Sequence, residues 1–313
     1  MMQPFHAGEL QVQEQAGERA QAILNGRLIG ARIPVGARQF PGRQSYCVVG
    51  WQDQRERLWA SFWTGKPGFV HTDDSGAKLT LDFGAVDGGG HGDTALPAAM
   101  AELHEQDRLG MLFIDLATRR RLRVNGTIAE LSPAGLVLAV AEAFPNCPKY
   151  IQRREFGGSP PGTAANATAL QSEHGEGYPV DIARWLAATD TFFVATNNPQ
   201  GQLDCSHRGG RPGFVRLDRG VLRIPDYPGN SMFGTLGNLA LDPRAGLCLL
   251  DFTAGSQLQL SGEATRDFTG VDASGATGST GRWWTFRAQH WLSHHLTRPE
   301  SWRLIDRSPF NPI

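Results

Sequence analysis

The sequence predicts a mostly β protein built from two copies of one small antiparallel barrel, with helices at the periphery. Three observations carry that expectation. A long-period repeat runs in register through the chain, short β-branched or aromatic runs are bounded by Gly, Pro, Asn and Asp, and helical stretches are few.

The repeat is read from four landmarks in the same order. Leu58 to Val70 (LWASFWTGKPGFV) matches Leu203 to Val215 (LDCSHRGGRPGFV), with Ser61 on Ser206, Gly65 on Gly210 and the PGFV block on itself. Next, Lys78 to Phe83 matches Val221 to Tyr227, with Asp82 opposite Asp226. Gly110 to Leu116 then matches Gly246 to Phe252, and Arg121 to Gly126 matches Gln257 to Gly262.

Strands are expected at runs such as Tyr46 to Val49, Phe192 to Val194 and Leu247 to Leu250. Apolar residues recur at three to four positions over Val12 to Leu28, Thr94 to Glu105 and Asp181 to Ala188, which predicts three helices. A doubly wound sheet would alternate strand and helix throughout, and this chain does not. The Gly- and Pro-rich run after Phe156 reads as a connector, giving a first domain over 1–155, a linker over 156–178 and a second domain over 179–313. A soft stretch, Thr269 to Gly281, precedes a terminal strand, Arg282 to Arg287.

At 313 residues each half is long enough to bury its own core. The formal net charge of -1 supplies no global field to recruit nucleic acid or an acidic membrane, so any anion site must be local. The start lacks a basic stretch followed by an apolar run, and no apolar run approaches a membrane span, so a cytoplasmic location is expected. Cys47, Cys147, Cys205 and Cys248 include no CxxC pair and read as buried, inert thiols.

Differences between the copies point to a site. His207 and Arg208 stand where the first copy has Phe62 and Trp63. Arg208 precedes Gly209 and Gly210, an arrangement that suits phosphate and equally describes a solvent-facing arginine in a glycine-rich turn. After Asp226 the second copy carries a compact polar turn. Its Asn230, Ser231, Thr235 and Asn238 suit a short helix start aimed at an anion, or simply cap that helix. Asn146, Lys149, Tyr150 and Gln152 form a polar cluster that either reaches a cofactor or begins a helix capped by Asn146. Neither GxGxxG nor a G-K-[ST] P-loop is present. His290 and His294 are four apart, as on one helical face, but the H-E-x-x-H glutamate is missing and no metal is assigned.

On these residues the chain resembles the pyridoxamine 5′-phosphate oxidase-like flavin split-barrel family, in particular its double-barrel members. The resemblance runs through Asp190 to Phe193, Asp204 to Val215, Ile224 to Asn230, Thr235 to Asn238 and Asp242 to Leu247, with Phe5 to Glu9 and Phe144 to Gln152 in the first half. It implies tandem six-stranded antiparallel Greek-key split barrels forming an intrachain pseudo-dimer, with FMN in a groove between them. By matching motif, Ser206, Arg208, Asn230, Ser231 and Thr235 resemble the phosphate-side residues, with Arg223, Asn238, Asn146, Lys149 and Tyr150 as further candidates. The terminal strand would put Trp284 and Arg287 near the ring edge. Because the copies have diverged, only one groove is expected to keep the phosphate grip.

The function so implied is an FMN-dependent oxidoreductase acting on a small molecule, with oxygen or a reductase partner taking electrons, as a monomer or a homodimer. Its rival is a flavin, haem or nucleotide carrier or sensor using the same groove. The hydride chemistry would belong to the flavin, so no side chain is assigned a catalytic role.

Overall fold

The structure, a computed structural model, describes residues 4–86, 102–156, 172–268, 271–272, 274–296 and 302–312. In the first half Tyr46–Gln52 (β1), Leu58–Thr64 (β2), Val70–Thr72 (β3), Lys78–Asp82 (β4), Arg108–Asp115 (β5), Arg120–Ser132 (β6) and Gly135–Pro145 (β7) form one antiparallel sheet in the order β2-β1-β5-β6-β7-β4-β3. Arg153–Phe156 (β8) and Glu173–Glu176 (β9) follow. The second half then lays down Thr191–Asn197 (β10), Leu203–Gly209 (β11), Arg216–Asp218 (β12), Val221–Pro225 (β13), Arg244–Asp251 (β14), Ser256–Asp267 (β15) and Trp283–His295 (β16).

The second sheet runs β11-β10-β14-β15-β16-β13-β12, so the two orders correspond strand for strand. Each has six main strands and a three-residue seventh, β3 or β12. Register agrees as well. Ser61 pairs with Val49 as Ser206 pairs with Val194, and a bulge after Asn125 in β6 recurs after Ser261 in β15. The duplication read from the sequence is therefore a duplication of topology.

Each half buries its own apolar core, and a third cluster lies between them. Along β1, Cys47, Val49 and Trp51 face the first core, while Tyr46 and Val48 face the other half beside Phe193, Ala195 and Cys205. Alternation thus buries both faces of β1, β2, β10 and β11, which is why these strands read as nearly unbroken apolar runs. The halves approach through backbone. A methyl on Gly110 would lie 2.8 Å from Asp204 Cα, and one on the matching Gly246 2.6 Å from Trp59 Cα.

The helices differ from expectation. Val12 to Leu28 is two helices, Ala7–Gln15 (α1) and Arg19–Gly26 (α2), because Gly17 turns the chain at φ 68°. Helix α1 begins upstream of the apolar pattern, since the His6 side chain accepts from Gly8 N–H while Glu9 accepts from His6 N–H, a reciprocal cap. Ile182–Ala188 (α3) lies where a helix was predicted, and Gly234–Asn238 (α4) is a single short turn. Most of the helix predicted over Thr94 to Glu105 lies outside the described residues, as does 157–171 of the connector. The connector's end is β9, a strand laid on β16. A final strand, Trp302–Asp306 (β17), pairs with β8. Among the described residues no helix is long and apolar enough to cross a membrane.

His290 to His295 belong to β16, not to a helix. Four residues of extended chain separate the His290 and His294 backbones by about 13 Å, too far for a chelating pair of the helical kind.

Candidate functional site

A cleft opens where β6 and β7 of the first half face β11 and residues 225–238 of the second. It brings together nine of the predicted residues: Asn146, Lys149, Tyr150, Ser206, Arg208, Asn230, Ser231, Thr235 and Asn238. Arg223, Trp284 and Arg287 lie elsewhere. Trp284 is fully buried in the second core, and strand alternation puts Arg223 and Arg287 on the opposite face of β13 and β16, with Arg223 4.3 Å over the Trp283 ring and Arg287 exposed. Gln152 is buried behind the cleft, where it holds Ser308 N–H and Asn311.

None of the four polar turn residues caps α4, whose N-cap is Phe233 at φ 61°. They bond outward instead. Asn230 donates to Asn146 at 3.3 Å, Ser231 to Glu18 at 2.6 Å and Thr235 to Ser206 Oγ at 3.1 Å, while Asn238 accepts from the His6 ring at 2.8 Å. No helix starts at Asn146 either. That segment is irregular, with Tyr150 at φ 66° and its hydroxyl donating to Pro228 O at 2.9 Å. Cys47, Cys205 and Cys248 are buried, their thiol pKa values pushed up by desolvation, whereas Cys147 lines the cleft.

Sequence reasoning missed the cations that β6 contributes. Arg123 donates to Ser206 Oγ at 2.6 Å and to Asp204 at 3.0 Å across the half-to-half boundary. Arg208 donates to Asp226 at 2.8 Å, and Arg282 shares that carboxylate while also reaching Glu18. Arg121 differs: among the described residues it has no carboxylate partner. Its guanidinium donates to His207 Nδ1 at 3.2 Å, which places the imidazole proton on Nε2. Burial, with Arg123 and Arg208 nearby, lowers the Arg121 pKa to about 9, and burial beside these cations holds His207 well below the usual histidine range. The Nε atoms of Arg121, Arg123 and Arg208, together with His207 Nε2, are buried without a hydrogen-bond partner. Unpaired buried donors beside a cation lacking its counter-charge are costly, and an anionic ligand relieves that cost.

The pseudo-equivalent groove is built differently. Gln257 and Gln259 occupy the places of Arg121 and Arg123, and Phe62 that of His207. The Gln257 amide accepts from Phe62 N–H and donates to Phe62 O, both at 2.9 Å. Gln259 donates to Ala60 O at 2.9 Å and to Ser61 Oγ. These neutral side chains satisfy the facing strand's backbone and bring no positive charge. The contrast was present in the sequence, at Arg121 to Gly126 against Gln257 to Gly262.

Helix α1 roofs the cleft. It meets α4 with a glycine on each side, since a methyl on Gly8 would lie 2.1 Å from Gly237 O and one on Gly237 2.7 Å from Glu9 N. That contact delivers His6 and Glu9 to the cleft beside Asp204, Asn125 and Glu142. Burial raises the Glu9 pKa to about 8, with Asp204 and Glu142 adding to the shift and His6 N–H and Arg123 opposing it. The folded chain thus holds a proton on Glu9 after the unfolded chain has released it near the ordinary glutamate value of 4.5, so stability falls as pH rises from there to about 8. Glu9→Gln is expected to match the parent near pH 4.5 and to exceed it by about 1–3 kcal/mol at pH 8.5, as read from denaturant melts at both pH values.

No family model matches the chain, and no curated protein does. Solved structures are similar over part of it. One from Group A Streptococcus, titled HupZ, is 15% identical, with 34% of this chain and 92% of that chain covered at a TM-score of 0.29. A FAD-binding protein from Mesorhizobium loti is 10% identical, covering 40% and 98% at 0.30. A putative pyridoxamine 5′-phosphate oxidase from Lactobacillus delbrueckii is 9% identical, covering 37% and 98% at 0.29.

Proposed function

We propose that the cleft binds FMN, one molecule per chain, and that the protein is an oxidoreductase acting on a small molecule. The observation that carries the reading is the uncompensated Arg121 guanidinium beside buried donors that lack partners, set against glutamines in the sister groove. The donor set suits a phosphate: Arg121 and Arg208 as charged forks, Arg123 behind them, and the Ser206 and Thr235 hydroxyls between the halves. Lys149 and Tyr150 stand at the cleft's border, where Tyr150 packs 5.0 Å from the Tyr227 ring. That aromatic pair suits the flavin's planar body.

FMN, when bound, supplies the electron and hydride chemistry. The chain's residues hold and orient it. Arg121, Arg208 and Arg123 neutralise the phosphate, α1 covers the cleft from water, and the buried His207 stays neutral so that it presents a single N–H. Electrons would leave to oxygen or to a reductase partner.

Titration of purified protein with FMN, followed by quenching of flavin fluorescence, is expected to saturate at one flavin per chain. Anaerobic addition of a reduced nicotinamide should then bleach the flavin band, and air should restore it. Binding without bleaching by any reductant of that class would favour a carrier or sensor. Absence of saturable binding would end the flavin reading.

A further inference from the structure

We infer that the chain has a second ligand site, on the other face of β6 from the cleft, and that it takes a small aromatic carboxylate. Arg120 and Arg121 are consecutive on β6 and therefore point to opposite faces, Arg121 into the cleft and Arg120 into a separate cavity of about 690 Å³. That cavity is of the size usual for small-molecule sites. Four of its lining residues are aromatic, Phe40, Tyr46, Phe156 and Trp302, set among polar and charged side chains.

Its wall carries four arginines, Arg38, Arg43, Arg120 and Arg154, and three aspartates, Asp73, Asp74 and Asp115, yet several guanidinium donors have no acidic partner among the described residues. Arg120 has no carboxylate partner among the described residues, and its guanidinium lies 5.4 Å from the Phe40 ring centre. Arg154, nine-tenths buried, pairs with Asp190 at 2.7 Å through one nitrogen and stacks 3.9 Å from the Phe252 ring, while its other terminal nitrogen is buried with no partner. Arg38 spends its terminal nitrogens on the Asp74 and Ser75 carbonyls and likewise keeps a buried, unpartnered Nε. No acidic side chain of the wall is hydrogen-bonded to these donors among the described residues, although Asp115 stands opposite Arg120 in the strand register. Asp73 accepts from Ser75 and Lys78 N–H, Asp115 accepts from Ala117 and Thr118 N–H, and Asp74 is exposed. A planar carboxylate matches guanidinium forks, and a ring attached to it matches the walls.

The test is calorimetric titration of the full chain with 2-naphthoate, with acetate and 2-naphthylmethylamine as controls. Naphthoate is expected to bind at one saturable site and the controls far more weakly. Arg120→Ala, at an exposed position, should weaken binding about tenfold, the scale of one charge-assisted contact. R154Q combined with D190N, which removes the buried ion pair as a unit, should weaken it at least as much. The cleft variant R121Q/R123Q should leave naphthoate affinity unchanged, which separates this site from the flavin reading. Equal affinity in the parent and R120A, equally tight binding of the amine, or no saturation by about 1 mM would overturn the proposal.

Discussion

Arg121→Gln with Arg123→Gln, which copies the sister groove's Gln257 and Gln259 into the cleft, is expected to weaken FMN by about 100- to 10,000-fold. Each substitution removes a charge-assisted contact of about 1.5–3 kcal/mol, and about 1.4 kcal/mol is a factor of ten. Glutamine keeps the length and the hydrogen-bonding head, and in the second half it sits at the same register on the same kind of strand. The fold should therefore survive, as an unchanged circular dichroism spectrum would show. Arg121→Lys, which keeps charge but loses the fork, should fall between the parent and R121Q. Unchanged affinity in the double variant would remove the phosphate from this cleft.

Gly237→Ala is expected to have the next largest effect, because the added methyl would meet Glu9 Cγ at 2.5 Å and the Glu9 backbone at 2.7 Å. The backbone cannot yield locally, so α1 must shift off α4, at a cost of about 1–3 kcal/mol, as in other overpacked contacts. That shift would withdraw His6 and Glu9 from the cleft and loosen the ties that fix this segment, including Gln13 to Met232 O and Asn25 to Asn230 O. Limited proteolysis should then cut within the first 26 residues faster than in the parent, and FMN should dissociate faster. A parent-like digestion pattern would show that α1 is held by other contacts.

The topology was legible because both repeats carry the same turn and strand landmarks, and because doubly buried strands leave dense apolar runs such as Tyr46 to Val49. The site was legible in part. Residues beside the repeat's most conspicuous difference, Ser206 and Arg208, do line the cleft, and so does the polar turn after Asp226. Arg121 and Arg123 escaped because a charged residue at every second strand position reads as a solvated face, and only the docking of the other half turns that face into a wall. His6 and Glu9 escaped for a related reason: a short helix from the start of the chain reaches residues more than 200 positions away. The terminal Trp/Arg motif suggests Trp284 as a ring neighbour, whereas period-two alternation commits it to the core together with Phe286.

The ribbon of β8 and β17 carries a consequence for biosynthesis. Strand β8 is complete at residue 156, yet its partner begins at residue 302, so the ribosome releases one edge long before it makes the other. The first repeat can close its own sheet during translation, since all seven of its strands precede residue 146. The ribbon, Trp302 included, must wait until residues 302–306 have left the exit tunnel. Closure of the ribbon thus follows closure of the first sheet, with the whole second repeat made in between.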